Sequence, residues 1–219
     1  GRGLKGADIR FSVNGEAVSL AWTDDSIPGV PAQSYYAVKT YEDGDKINIT
    51  AAAEGMKAVS SATVVPSRFP LTSINFVLKG GEPNQLQFWI HFTDNAQTKD
   101  YYALKVERKR QFWNDSKYSV ENSSLTLNLD DEPLLNTSSG LDDILMIENE
   151  FYRNLYYWDD TKIQGKSYKV RLNTNYEADY EDDFITPDGV EHIKCQVKYR
   201  ISLYSLSEEF YRYLKSLND

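Results

Sequence analysis

The imidazole and thiol groups of this chain are few: His91, His192 and Cys195. A nucleophile needs a base within hydrogen-bond reach, and a structural zinc site needs several Cys or His ligands at short spacing. Cys195 alternates with Ile193 and Val197 on one face of a predicted strand, which indicates a buried, unreactive thiol. His91 falls on the polar face of another predicted strand, and His192 falls in a predicted turn. The sequence therefore predicts no catalytic triad, no intramolecular disulfide and no zinc site, and it contains no phosphate-binding or nucleophile-elbow motif.

Carboxylates form a second set of residues that could do chemistry. A glycosidase needs an acid and a carboxylate about 5–10 Å apart across a cleft. Seven acids fall in predicted loops or at strand ends: Asp130, Asp131, Glu132, Asp142, Asp143, Asp159 and Asp160. A glycan-active hydrolase that uses two of them is an open alternative, although so many loop acids favour solvated charge over an active site.

Two acidic stretches, residues 42–45 and 177–183, carry the oxygen ligands that calcium prefers. Neither stretch matches the twelve-residue EF-hand loop, and solubilising charge is the favoured interpretation of both. We therefore predict no metal and no cofactor.

Aromatic residues are abundant, with sixteen Tyr, nine Phe and four Trp in an otherwise polar chain. Those between residues 112 and 180 crowd predicted loops and strand ends, where rigid aromatic surface commonly stacks on sugars or anchors partner proteins. The residues predicted to bind a glycan or peptide ligand are Trp113, Tyr156, Tyr157 and Trp158. The alternative is that these side chains pack beneath the long connection of the chain.

The net charge of −9 argues against a nucleic-acid or anionic-membrane surface, because both need clustered Lys and Arg. No apolar run reaches the roughly 18 residues of a membrane-spanning helix.

The elements that must position these residues are mostly strands. Short strands with turn residues every 8–12 positions predict an Ig-like or transthyretin-like β-sandwich over residues 4–65. Within it, Asn14-Gly15 is a strong hairpin signal. Prolines at 66 and 70 indicate a connector, so a second domain is predicted over residues 72–219.

This second domain is predicted to be β-rich, with a long loop over residues 114–155 that holds a short helix at 141–150. Residues 193–203 alternate as a long strand. A C-terminal helix is predicted over residues 206–217, with Ser205 and Glu208 as its capping box.

Four segments resemble the domain-of-unknown-function family 4249. Residues 6–11 (GADIRF) resemble its early strand, and residues 43–49 (DGDKINI) resemble a later one, although Ile47 stands where that strand usually has tyrosine. Residues 163–168 (IQGKSY) resemble its G-K-x-Y turn. The most specific match is the strand and helix over residues 197–217, with Tyr211 and Tyr213 at the family's tyrosine positions.

The resemblance implies a Bacteroidetes lipoprotein, anchored by lipid in the outer membrane and exposed at the cell surface, often beside a TonB-dependent transporter. The lipoprotein signal and its cysteine are not in this chain, which we expect to be an internal piece of a longer protein. The resemblance implies no catalytic residues. We therefore expect a non-catalytic accessory protein that binds a glycan, peptide or protein partner; a hydrolase or an adhesion and assembly module are the alternatives.

Overall fold

The computed structural model describes residues 4–79, 85–114, 117–135, 154–187 and 189–216. The chain is mainly β, as predicted, and ends in a helix. Its contacts divide it into two compact units, Gly1–Arg68 (unit 1) and Phe69–Asp219 (unit 2).

Unit 1 contains a four-stranded antiparallel sheet in the order β2-β1-β5-β6 and a separate two-stranded ribbon of β3 and β4. The strands are β1 Asp8–Val13, β2 Glu16–Val18, β3 Ala21–Thr23, β4 Ser34–Tyr36, β5 Lys46–Ala52 and β6 Val59–Val64. The predicted hairpin is confirmed: Asn14 and Gly15 both have positive φ, at 53° and 86°, and they join β1 to β2. This turn matches the twist of the strands because both central residues are left-handed.

The described part of unit 2 contains two antiparallel sheets, a short 3-10 helix (Asp160–Lys162) and a C-terminal α-helix. Its elements are β7 Leu71–Leu78, β8 Gln85–Thr93, β9 Tyr101–Asn114, β10 Lys117–Ser124, β11 Tyr156–Asp159, β12 Ser167–Asn175, β13 Tyr180–Thr186, β14 Gly189–Leu206 and α1 Glu208–Ser216. One sheet has the order β12-β8-β7. The other has the order β10-β9-β14-β13, and β11 also pairs with β9.

The core of unit 2 lies between these two sheets. Alternate residues of β8, among them Ile90 and Phe92, pack against Leu104 and Val106 of β9. Since side chains alternate across a strand, the polar residues between them turn to the opposite face. Strands β9 and β14 form the centre of the larger sheet. They pair over their whole overlap, from Tyr101 opposite Leu206 to Asn114 opposite Ile193.

Helix α1 covers the outer face of this sheet, where Leu214 packs with Ala103 and Leu206. The helix begins two residues later than predicted, because Leu206 still belongs to β14. Its N-cap is Ser207, whose Oγ accepts a hydrogen bond from the Phe210 backbone N–H (3.3 Å), so the predicted cap at Ser205 is wrong. In the described part of the chain, no helix combines the length and apolar character needed to cross a bilayer.

The long loop predicted over residues 114–155 is also corrected. Its first part is strand β10, which forms a hairpin with β9 from Lys117 opposite Asn114 to Ser124 opposite Glu107. This strand is exposed for most of its length, so it lacks the apolar alternation by which strands are recognised. The helix predicted at 141–150 lies outside the described residues.

Candidate functional site

Three of the four aromatic residues predicted to bind a ligand lie in the core. Tyr156, Tyr157 and Trp158 are between 3% and 6% exposed, so they offer no surface to a ligand. They form β11, which is covered on both faces: Tyr156 and Trp158 enter the core between the sheets, and Tyr157 lies beneath α1. The interpretation of these three residues as a binding platform is therefore corrected, and the packing alternative holds for them.

The fourth predicted residue, Trp113, lies near the end of the β9–β10 hairpin and is 38% exposed. Its cross-strand partner is Tyr118, and the two ring centroids are 5.5 Å apart. The Tyr118 hydroxyl accepts a hydrogen bond from Gln111 Nε2 (2.6 Å), which fixes this ring. Trp113 and Tyr118 therefore form a small exposed aromatic pair on the β9–β10 hairpin, separate from the buried aromatic residues of β11.

The first two of the predicted loop acids, Asp130 and Asp131, accept hydrogen bonds from protein donors. Asp131 Oδ2 accepts from Lys79 Nζ (2.6 Å), and also from Gln87 Nε2 and Asn173 Nδ2 (both 3.0 Å). The hydrogen bond from Lys79 is the main cause that lowers the pKa of Asp131. Asp130 Oδ2 accepts from the nearby amide of Asn128 (2.9 Å). A general acid needs a raised pKa, so Asp131 does not suit that role.

Glu132 is fully buried and serves as a structural acceptor. Its carboxylate accepts from the backbone N–H groups of Leu134 (3.0 Å) and Arg171 (2.8 Å), and from the Tyr168 hydroxyl (2.9 Å). Burial, and then the hydrogen bond to Glu132, raise the pKa of Tyr168 to about 12. This hydrogen bond explains the tyrosine of the G-K-x-Y turn. The Tyr168 hydroxyl donates to the buried Glu132 carboxylate, which would otherwise lose a hydrogen-bond partner. Asp142 and Asp143 lie outside the described residues.

A cluster of acids surrounds Lys99. Its ammonium pairs with Asp160 and lies 3.6 Å from Asp159 Oδ1. Asp159 also caps the short 3-10 helix Asp160–Lys162, since its Oδ1 accepts from the Thr161 N–H (2.8 Å). Its pKa is lowered: burial opposes the shift, and the bonds from Thr161 together with Lys99 outweigh burial.

The carboxylates of Asp94, Asp100 and Asp160 approach within 4.8 Å of one another, a spacing at which a divalent cation could be held. Their oxygens already have protein partners, however. Asp94 accepts from the Tyr102 hydroxyl (2.6 Å) and from the Gly165 N–H (2.8 Å), and Asp160 accepts from the Asp100 N–H (2.7 Å). The arrangement therefore works as a polar crosslink that joins the loop after β8 to the turn before β12.

Gly165, the glycine of the G-K-x-Y turn, is required by this crosslink. Its φ is +67°, and a Cβ placed on it would lie 2.7 Å from the Ala96 Cβ. Only glycine combines that backbone conformation with so close an approach. The segment that resembles the family motif is thus explained by packing and hydrogen bonding.

The histidines and the cysteine occupy separate places. Cys195 is buried, as predicted, and burial raises the pKa of its thiol. His91 is half-buried in β8. His192 lies in β14, not in a turn, and its Nδ1 is 2.7 Å from Asp183 Oδ1 on the exposed surface of the neighbouring β13. The acidic stretch at 177–183, interpreted from the sequence as solubilising charge, is divided between the connection after β12 and strand β13.

Sequence reasoning missed an apolar groove in unit 2, with a volume of about 570 Å³. It is lined by Phe76, Leu86, Phe88, Tyr176, Glu177, Ala178, Asp179, Val197 and Tyr199. Phe76 of β7 lies directly opposite Phe88 of β8, so both rings emerge on the same face of the sheet. Phe88 is 5% exposed whereas Phe76 is 69% exposed, so the core face of this sheet continues into solvent at β7. The alternation of Ile74, Phe76 and Leu78 was the available signal.

The polar side of the groove is held rigidly by Glu177. Its carboxylate receives two hydrogen bonds from Arg110 (2.7 and 2.8 Å) and lies 2.7 Å from Arg108 Nη1. The hydrogen bonds from Arg110 are the main cause that lowers the pKa of Glu177. The Glu177 backbone N–H donates to the Tyr199 hydroxyl (3.0 Å), which fixes a further wall of the groove. The groove is therefore preformed on its polar side and open along β7.

These features define a two-unit antiparallel β protein in which the described loop acids are engaged within the fold and an apolar groove is open to solvent. Residues 2–219 match the family described as a domain of unknown function, DUF4249, and the chain belongs to this family. The family assigned from the four sequence segments is thus confirmed. Comparison with curated proteins finds no match.

Proposed function

We propose that this protein is a non-catalytic accessory lipoprotein, exposed at the outer-membrane surface beside a TonB-dependent transporter, and that it binds an extended peptide segment of a protein partner in the groove of unit 2. The proposed membrane location and transporter rest on what the resemblance to the family implies. The binding role rests on one observation, the exposed core face of β7 at Phe76.

Strand β7 offers two kinds of contact to an extended chain. Within the described residues, β8 is its one strand partner, so the other edge of β7 presents backbone N–H and C=O groups that a peptide strand can pair with. Phe76 of β7 and Tyr176 line the same groove and provide apolar surface for alternate side chains of the peptide. Main-chain pairing would supply affinity and the groove would supply selectivity.

The engagement of the acids supports a non-catalytic role. Glycoside hydrolysis needs one carboxyl group that holds a proton near neutral pH and a second one free to act on the sugar. Asp131 and Asp159 have lowered pKa values, and Glu132 is enclosed by backbone donors. For Asp131, Glu132 and Asp159, the hydrolase alternative therefore has little support.

The test uses a capped peptide of alternating valine and threonine with a lysine at each end, titrated into the whole chain by calorimetry. The lysines complement the net charge of −9. We expect saturable binding that weakens by tenfold or more in Phe76→Asp. The side chain of Phe76 is mostly solvated, so this variant should fold normally.

Phe184→Asp is the matched control, because Phe184 is also an exposed aromatic residue on a strand but does not line the groove. A peptide with proline in place of two valines should not bind, since proline removes the donors that strand pairing needs. Absence of binding by the first peptide would contradict the proposal. If the chain instead binds a pool of oligosaccharides, and Phe76→Asp abolishes that binding, the ligand of the groove is a glycan and not a peptide.

A further inference from the structure

Unit 1 contains a second concave surface, a pocket of about 420 Å³ that lies wholly within this unit. Its volume falls in the range of about 300–1,000 Å³ that is common for small-molecule sites. The lining residues are Leu4, Ala7, Ile9, Trp22, Gln33, Tyr35, Ala51, Ala52, Ala53, Met56, Lys57 and Val59.

The floor of the pocket is the apolar face of the main sheet. Ile9 of β1 is paired with Ala51 of β5, and Ala51 is paired with Val59 of β6, so the three side chains stand in a row on one face. Val59 is 64% exposed and Met56, in the turn between β5 and β6, is 61% exposed. When an apolar ligand covers such exposed apolar side chains, the burial of both surfaces lowers the free energy of the complex.

One wall of the pocket is a rigid aromatic pair. The rings of Trp22 and Tyr35 meet edge to face with centroids 4.9 Å apart. Their polar atoms are already engaged: Trp22 Nε1 donates to Asp24 (2.7 Å), and the Tyr35 hydroxyl accepts from the Gly6 N–H (2.8 Å). The wall therefore presents apolar ring surface in a fixed orientation and makes no demand for polar partners from a ligand.

Lys57 brings a positive charge to the pocket. Lys57 is the charged residue among those that line the pocket, and within the described part of the chain its ammonium has no carboxylate at ion-pair distance. The neighbouring Lys5, in contrast, is neutralised by Asp24 (2.8 Å). Gln33, whose backbone has a φ of +57°, also lines the pocket. Left-handed backbone at a residue other than glycine, asparagine or aspartate costs energy and is commonest at functional positions.

We propose that this pocket binds a small apolar carboxylate, with the hydrocarbon body on the floor formed by Ile9, Ala51 and Val59 and the carboxylate at Lys57. The site is independent of the groove in unit 2, so each can fail without the other. A neutral hydrocarbon would leave Lys57 unused, and a cationic ligand would be repelled by it.

The test uses decanoate, kept below its micelle concentration, with the whole chain labelled with 13C at the methionine methyl groups. The chain has two methionines, Met56 and Met146, so a Met146→Leu variant assigns the Met56 signal. We expect decanoate to shift the Met56 methyl resonance saturably, and decyltrimethylammonium, which has the same chain length and opposite charge, to leave it unshifted.

Two variants separate charge from apolar contact. Lys57→Gln should weaken decanoate binding by about two- to fivefold, the range of a solvent-exposed ion pair. Val59→Ser should weaken it by about three- to tenfold through lost apolar contact. Because Val59 is exposed, this variant should stay folded, and circular dichroism of the variant checks that it does. Lys198→Gln, which removes an exposed lysine of unit 2, and Phe76→Asp should leave the affinity unchanged.

Three results would overturn the proposal. They are an unshifted Met56 signal at all decanoate concentrations, an equal response to the cationic amphiphile, and an affinity that Lys57→Gln and Lys198→Gln change to the same extent.

Discussion

At the scale of single residues, the acids around Lys99 show how the fold accommodates like charges. Asp100 lies within 4.8 Å of the carboxylates of Asp94 and Asp160. Its pKa is raised by burial and by these two neighbours, and the hydrogen bond from the Thr98 hydroxyl (2.6 Å) opposes the shift. Since a raised pKa means that the ionised form is disfavoured in the folded state, the charge of Asp100 costs stability at neutral pH.

We therefore expect Asp100→Asn to stabilise the protein at pH 7, because the amide carries no charge for burial and the neighbouring carboxylates to disfavour. The gain should be no more than about 1 kcal/mol, the range of charge interactions between partly solvated groups. The penalty in the parent protein is present above the folded-state pKa of Asp100 and disappears as the pH falls through that value towards 3.8. The advantage of the variant should shrink over the same interval. Urea unfolding followed by tryptophan fluorescence between pH 7 and pH 4 measures it.

Asp130→Asn is the charge control, because it removes the same charge from an exposed carboxylate outside this cluster. It should change the free energy of unfolding by no more than about 0.5 kcal/mol. A pH-independent effect of Asp100→Asn, or a destabilising one, would contradict the repulsion inferred from the geometry.

At the scale of elements, the start of α1 is fixed by tertiary contacts and differs from the start that the local sequence motif predicts. Ser205 and Glu208 have the spacing of a capping box, but Ser205 is paired with Tyr102 in the ladder between β14 and β9. Strand pairing continues through Leu206, so the cap moves to Ser207, whose Oγ accepts from the Phe210 N–H. A local motif was thus overridden by contacts with a strand about a hundred residues earlier in the sequence.

Ser207→Ala should lower the free energy of unfolding by about 0.5–2 kcal/mol, because a helix N–H loses its side-chain acceptor. Ser205→Ala should stay within about 0.5 kcal/mol of the parent protein, since its side chain caps no helix. Urea titrations of the two single variants give both values. A larger decrease in the free energy of unfolding for Ser205→Ala than for Ser207→Ala would mean that Ser205 caps the helix, as the sequence predicts.

The same contrast explains which elements the sequence predicts well. The Asn14–Gly15 hairpin and the strand that contains Cys195 depend on neighbouring residues, and both are confirmed. Strands β10 and β11 depend on pairing with β9, which no local pattern reports. For the same reason the sequence places Trp158 at a surface. The two faces of β11 are covered by residues such as Phe92 of β8 and Leu214 of α1, which lie far away in the sequence.

The candidate site was predicted less well than the fold, again for a physical reason. The sequence drew attention to unusual residue types, such as tyrosine and tryptophan next to one another, and these types also fill cores. The groove at Phe76 and the pocket at Met56 and Val59 arise instead from ordinary apolar residues that the fold leaves uncovered. Exposure of that kind becomes visible only when the sheets are assembled.

At the scale of the whole molecule, the two units differ in how much each one buries. In the described part of unit 1, a single apolar residue, Val13, is buried. Unit 2, in contrast, has one cluster of buried apolar residues on each face of its larger sheet. Hydrophobic burial is the dominant stabilising contribution to folding, so the free energy of local opening should be lower in unit 1 than in unit 2.

Hydrogen exchange followed by mass spectrometry tests this difference in a single sample. We expect the amides of β5 (Lys46–Ala52), an interior strand of the unit 1 sheet, to exchange at least about a hundredfold faster than those of β8 (Gln85–Thr93). This ratio corresponds to about 2.7 kcal/mol in the free energy of opening. Both strands are flanked by two neighbours in their own sheets, so backbone pairing is matched and burial is the variable. Equal protection of β5 and β8 would mean that the small core of unit 1 does not limit its stability, and that a source of free energy other than apolar burial holds its sheet together.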